Sequence, residues 1–124
     1  MTIREATLDD LDALTKLFDS YREFYGKSRD LIAAKKFLHE RMSRKESIIY
    51  VAQEKEVVGF AQLYPLFSST RIKRLWLLND LFVNENFRGK GISKLLIEKC
   101  FELAKETDSC GVMLETERGN TISN

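Results

Sequence analysis

Arg88, Gly89, Lys90, Gly91 and Lys94 stand where an apolar strand gives way to an amphipathic helix, and their types suit the binding of an anion. The first N–H groups of a helix lack partners within it and carry partial positive charge. Two glycines let a ligand approach the backbone, and the three cations add full charge. Such a turn fits a phosphate or a pyrophosphate. A few residues upstream, Asn79 and Asp80 interrupt an otherwise apolar run from Leu75 to Val83. A carboxylate on a central strand is costly unless it is paired or faces a wet cavity.

The elements that must place these groups follow from periodicity. Thr2 to Ala6 reads as a short strand, and Thr7 with Asp10 as a capping box opening a helix that Gly26 ends. Ser28 is placed to cap a second helix with Leu31, Ile32, Ala34, Phe37, Leu38 and Met42 on one side. Ser47 to Gln53 and Val57 to Leu66 form a hairpin, with a bend or end expected near Pro65 because proline cannot donate to a ladder. Arg71 to Val83 is a long strand. Ile92 to about Glu106 is a helix with Ile92, Leu95, Leu96, Cys100, Leu103 and Ala104 towards a core. Gly111 to Thr116 is a further strand, followed by a loop to Asn120. Strand, helix and strand from Leu75 onward make a parallel βαβ unit. The earlier hairpins are antiparallel, so the expected fold class is α/β with one mixed, mostly antiparallel sheet.

The 124 residues suit a single domain, 1–124, of ordinary globular composition with 44% hydrophobic and 31% charged residues. A formal net charge of +1 offers no footprint for nucleic acid or for a membrane surface. No apolar run approaches the ~20 residues that span a bilayer. The acidic N-terminus does not read as a signal peptide. Cys100 and Cys110 lack metal-ligand spacing, so reduced thiols in a cytoplasmic protein without a metal are expected. His39 falls on a charged stretch and reads as surface. Arg71 to Arg74 lacks the interleaved aromatics of a nucleic-acid patch.

Two common phosphate motifs fail. Gly91 is followed by Ile92 and Ser93, which breaks GxxxxGK[ST], and Lys94 occupies the third glycine position of GxGxxG. The chain instead resembles the GNAT superfamily of acyl-CoA-dependent N-acetyltransferases, whose signature [QR]-x-x-G-x-[GA] reads here Arg88-Gly89-Lys90-Gly91-Ile92-Ser93. Serine departs from the family's glycine or alanine at the last position but is small. LNDLFV before the signature, GFAQLYPLFSS earlier and GVMLETERGN after it keep the family's order over essentially the whole chain.

The resemblance implies two central parallel strands splayed around acetyl-CoA, with helices on both faces. Backbone N–H groups from Gly89 through Lys90, Gly91, Ile92 and Ser93 to Lys94 would hold the CoA pyrophosphate. Main-chain groups of Leu81, Phe82 and Val83 would pair with the pantetheine arm as an extra strand. Arg88 and Lys90 would neutralise phosphate charge. Asn120 would either contact the arm or serve as a loop or cap residue.

A primary amine must lose a proton before attacking a thioester. Asp80 would be the base that takes it, or else an acceptor of backbone hydrogen bonds at a bulge that opens the splay. Asn79 would orient water or substrate, or satisfy that bulge. Tyr21, Phe24 and Tyr25 would lie over the acceptor side, with core packing as the other reading for Phe24.

The family domain normally continues with a helix beginning near Thr121 and a final pair of strands, which include a tyrosine used as general acid. Their absence leads to the expectation of a bare sheet edge at Gly111 to Thr116, covered by a homodimer or a swapped assembly. The expected activity is acetyl-CoA-dependent N-acetylation of a primary amine on a small molecule or peptide, by direct transfer. The competing expectation is a non-catalytic acyl-CoA-binding module or an inactive transferase.

Overall fold

β-Branched and aromatic residues crowd four segments of the chain, and leucines recur at helical spacing in the segments between them. The resulting elements are those of a computed structural model that describes residues 1–116 and 119–123. They run β1 (Thr2–Glu5), a 3-10 turn (Leu8–Asp10), α1 (Leu11–Phe24), α2 (Leu31–Ser43), β2 (Ile48–Gln53), β3 (Val57–Ser68) and β4 (Lys73–Val83). A second 3-10 turn (Glu85–Phe87) leads to α3 (Ile92–Glu106), β5 (Val112–Thr116) and β6 (Gly119–Ser123). One sheet holds all the strands in sequence order, antiparallel throughout except for the β4–β5 pair.

Each face of the sheet is covered. On one side Ile92, Leu96, Cys100 and Leu103 of α3 pack on Ala61, Leu63, Trp76, Leu78 and Val83. On the other, Leu14, Leu17, Phe18, Ala34 and Leu38 of α1 and α2 pack on Ile49, Val51 and Phe60. Three apolar residues expected inside lie outside: Leu31 at 45% exposure, Ile32 at 86% and Leu95 at 39%. The helical turn carries them past the edge of the buried stripe that Ala34 with Leu38, and Leu96 with Cys100, define.

The second helix is capped by Asp30, not by Ser28: an Asp30 carboxylate oxygen accepts the Ala33 N–H at 3.0 Å. Asp30 is itself held by Asp19. The carboxylate of Asp19, fully buried, accepts the Asp30 N–H at 2.8 Å and the Arg29 Nε–H at 3.0 Å. The Asp30 N–H, and then the Arg29 guanidinium, hold the Asp19 carboxyl below the usual carboxylate range against the opposing effect of burial. A depressed carboxyl contributes stability above its unfolded value that is lost as pH falls through the folded one. Asp19→Ala is therefore expected to cost about 1–3 kcal/mol at neutral pH. It should also flatten the acid side of the stability profile, as read by urea unfolding between pH 7 and pH 3. An unchanged midpoint at pH 7 would remove Asp19 as the tie between α1 and α2.

β3 passes through Pro65 instead of ending there, pairing to Ser68 opposite Lys73. Trp76, opposite Pro65, sends its N–H away from β3 to the Gly111 carbonyl at 3.1 Å. By the alternation of an antiparallel ladder, the donor that proline lacks would point away from β4. On that side β2 has already ended, its last pair being Ile48 with Leu63. Nothing is lost from the ladder.

The end of the chain corrects a further expectation. In place of a helix near Thr121, β6 pairs antiparallel with β5, from Val112 with Ser123 to Thr116 with Gly119. Thr121 and Ile122 are β-branched and favour a strand. The β5 edge, whose exposure was the reason to expect a homodimer or swapped assembly, is thus occupied by the same chain.

Candidate active site

The site is made by one surplus residue in β4. Gln62 stands opposite Asp80 and Leu63 opposite Leu78, which leaves Asn79 unpaired as a β-bulge. A bulge changes which face each later side chain takes. Before it, Trp76 and Leu78 face α3; after it Leu81 and Val83 face α3, and Phe82 faces α1 and α2. Asp80 therefore turns to the α1–α2 side, instead of following Leu78 into the α3 core.

The bulge coincides with a parting of the parallel strands. β4 and β5 pair only from Trp76 with Val112 to Leu78 with Leu114, although β4 continues to Val83. Asn84 donates its N–H to the Val58 carbonyl at 2.8 Å. That bond places Phe82 in a pair whose backbone groups bond to β3, so the groups of Leu81 and Val83 point to the opening. Of the three residues expected to meet a pantetheine arm, Leu81 and Val83 present main chain there, and Phe82 does not. The Val83 carbonyl is already taken by Arg88 Nε–H at 3.0 Å.

Asp80 is 6% exposed and held at both oxygens. Gln62 Nε2–H donates to Oδ2 at 2.8 Å and Asn79 Nδ2–H to Oδ1 at 3.0 Å. Gln62 is fully buried, and its own carbonyl accepts the Ser47 hydroxyl at 2.8 Å. Tyr21 donates its hydroxyl to the Asn79 carbonyl at 3.4 Å, steadying the bulge from α1. Burial pushes the Asp80 carboxyl above the usual carboxylate range, and hydrogen bonds from Gln62 and Asn79 moderate the rise. A carboxylate moved towards neutrality is a better proton acceptor at physiological pH.

Asn79 and Asp80 open onto a pocket of about 340 Å³ walled by Phe18, Arg22, Ala33, Ala34, Phe37 and Tyr64. The rings of Phe18 and Phe37 stack at 5.8 Å. Burial, helped by the charge of Asp80, pushes the Tyr64 phenol up to about 12, so it stays a neutral hydroxyl. Gln62, Tyr64 and Ser47 belong to this site and escape a reading of sequence alone. A polar residue in the apolar run VVGFAQLY was the available signal for Gln62.

Of the predicted acceptor residues, Tyr21 reaches the site. Phe24 is 64% exposed rather than core and lies over Arg88 and Phe82; its ring centroid is 5.4 Å from the Arg88 guanidinium carbon. Tyr25, 52% exposed, stacks edge-on against Tyr21 and Phe24. None of Tyr21, Phe24 and Tyr25 is among the walls of the Asp80 pocket; Tyr21 meets the site through the Asn79 carbonyl.

At the start of α3, Gly89 and Gly91 have φ of +80° and +78°, in the left-handed region that suits glycine. A Cβ on either would meet no atom within 4 Å. The first bond of the helix runs from the Leu95 N–H to the Gly91 carbonyl, so the N–H groups of Ile92, Ser93 and Lys94 precede the ladder. Ile92 and Ser93 border a small cavity of about 150 Å³ with Val83, Phe87, Arg88, Gly89 and Gly91 among its lining. Arg88 is folded back over the Phe24 and Phe82 rings, and Lys90 lies 5.2 Å from the Phe87 ring. Lys90 and Lys94 are exposed. Asn120 has its backbone in β6 opposite Glu115; its side chain lies outside the described residues.

Cys100 is buried in the α3 core with its thiol pushed up to about 12 by burial, so it carries no thiolate. Among the described residues no helix is long and apolar enough to cross a membrane.

Residues 11–124 match the Acetyltransferase (GNAT) family. The chain is 42% identical over 121 residues to the Uncharacterized N-acetyltransferase YhfO of Bacillus subtilis (strain 168), covering 97% of this chain and 81% of the relative. A crystal structure of a probable acetyltransferase superposes with a TM-score of 0.91 at 42% identity, over 95% of this chain and 81% of that one. A predicted acetyltransferase with acetyl-CoA from Clostridium acetobutylicum shares the fold, with a TM-score of 0.78 at 15% identity, over 95% of this chain and 82% of that one.

Proposed function

Since this chain belongs to the GNAT family and is an acetyltransferase of that type, we propose that it transfers an acetyl group from acetyl-CoA directly to a primary amine of a small molecule or peptide. The observation that carries the reading is the bulge at Asn79. It sets the Asp80 carboxylate in a pocket wall at the level where β4 and β5 part.

The pyrophosphate of acetyl-CoA binds the free N–H groups from Gly89 to Lys94, with Lys90 and Lys94 supplying charge. The arm lies along the main chain of Leu81 and Val83, and the backbone amides of this splayed strand polarise the thioester carbonyl. The acceptor enters from the α1–α2 side, where Phe18, Phe37 and Tyr64 hold its apolar body and Asp80 meets its ammonium group. Asp80 takes the ammonium proton, the nitrogen lone pair forms the C–N bond, the C–S bond breaks, and the second proton on nitrogen passes through water to the departing thiolate, which leaves a neutral amide and the CoA thiol. The neutral, buried Cys100 is no candidate for an acyl-enzyme.

Calorimetric titration with acetyl-CoA and with CoA, followed by release of free thiol over a panel of small amines and peptides, tests this reading. Binding together with thiol release on at least one amine supports it. Binding without turnover on any of them defeats transfer in favour of an acyl-CoA-binding module, and no binding defeats both.

A further inference from the structure

We propose that Gln62, braced by Ser47, is a positioning residue that dictates which lone pairs of Asp80 are free to receive the amine proton and how firmly that proton is held. The proposal rests on the acetyl-transfer reading for its place in a reaction; its geometry stands apart from that.

A side-chain amide has two orientations, and the ionised Asp80 carboxylate, which can only accept, selects the one that turns Nε2–H towards it. Gln62 Nε2–H meets Asp80 Oδ2 at 2.8 Å, and the Ser47 hydroxyl donates to Gln62 Oε1 at 2.8 Å, bracing the amide in that orientation. Asn79 supplies the matching donor to Oδ1 at 3.0 Å. Each carboxylate oxygen thus accepts one amide proton from the strands, and an incoming proton must use the lone pairs that remain towards the pocket. Gln62 is fully buried and sits directly across the ladder from Asp80. An apolar residue of that volume would suit its surroundings, so the amide is explained by what it bonds.

The same three groups accommodate the transferred proton. When Oδ2 carries it, Gln62 can turn over, accept from Oδ2–H and donate to Ser47 Oγ, because a hydroxyl works in either direction. The other charged and titratable groups around Asp80 are Tyr21 and Arg22 from α1 and Tyr64 from β3. From α2 the pocket receives Ala33, Ala34 and Phe37, while Arg41 acts on Tyr64. Among the side chains donating to Asp80, Gln62 has the largest effect in holding its carboxyl down.

The test is the Asp80 carboxyl titration followed by carbon-13 NMR, which needs no turnover, alongside the pH dependence of kcat/KM. Gln62→Leu keeps the volume and removes the donor, and should raise the Asp80 midpoint by about half a unit to one unit. The acidic limb of kcat/KM should move up by the same amount. Ser47→Ala should shift both in the same direction by less, and Ser47→Thr, which keeps the hydroxyl, should restore them. A folded Gln62→Leu with both unchanged overturns the proposal. If Gln62→Leu does not fold, Ser47→Ala decides, and an unmoved midpoint there also overturns it. A midpoint that moves in a protein that acetylates no amine supports the Gln62–Asp80 coupling and defeats the transfer reading alone.

Discussion

Gly91→Trp will abolish acetyl-CoA binding while leaving the fold in place. Gly91 caps α3 at a φ of +78°, and a Cβ built there meets no protein atom within 4 Å. Gly91 lines the cavity at the helix start, beside the N–H groups of Ile92, Ser93 and Lys94 that lack ladder partners. A non-glycine residue at positive φ costs about 1–2 kcal/mol, which the domain should tolerate with a lowered melting temperature. An indole in the cradle, however, displaces a pyrophosphate from its donors. The expected result is at least a ~100-fold rise in Kd, or about 2.7 kcal/mol, measured by calorimetry beside a circular-dichroism melt. A folded Gly91→Trp that binds acetyl-CoA within a few-fold of the parent would place the cofactor elsewhere.

Asp80→Asn should do the opposite, sparing acetyl-CoA binding and removing turnover. Loss of a general base lowers kcat by about 10²–10⁴-fold, and the cradle on α3 should be untouched. Because the Asp80 carboxyl sits above its usual range, it is protonated and unable to accept a proton below that raised value. The acidic limb of kcat/KM seen in the parent should therefore disappear in Asp80→Asn. The sign for stability runs the other way. A raised carboxyl contributes stability below its unfolded value that is lost as pH rises through the folded one, so ionised Asp80 is a burden at neutral pH. Asp80→Asn should accordingly melt higher than the parent at pH 7, with Gln62 free to turn its amide to suit the new neighbour. A variant that keeps both the parental rate and the limb would show that Asp80 is only the acceptor that pins the bulge.

The elements were largely legible because their periods are strong. Leu11, Leu14 and Phe18 follow one helical face, and the β-branched run from Ile48 to Gln53 can only be a strand. Local type and observed position part where a neighbour in space outweighs local preference. Pro65 ends strands whose donor is needed, but β2 stops before it. Ser28 is a good cap by type, yet Asp19 draws Asp30 into that position from another helix. Leu31 and Ile32 are apolar and nevertheless exposed, since a stripe of Ala34 and Leu38 suffices to cover the sheet. Thr121 and Ile122 take a strand because β5 offers them an edge.

By itself, the order of residue types determined the glycine-rich, cationic turn at the start of α3, the mixed sheet and the two polar residues on the central strand. These are local properties: glycines that accept positive φ, cations beside a helix start, and a carboxylate that breaks an apolar run. Only the tertiary structure decided which way that carboxylate faces. A single unpaired residue, Asn79, reverses the side-chain alternation of β4 at the level where β5 departs, and no periodicity within β4 records it. Pairing across strands also chose Gln62 as the partner of Asp80 and turned the backbone of Leu81 and Val83, but not Phe82, to the opening. Register is a relation between segments, so these assignments exist only once β3, β4 and β5 are side by side.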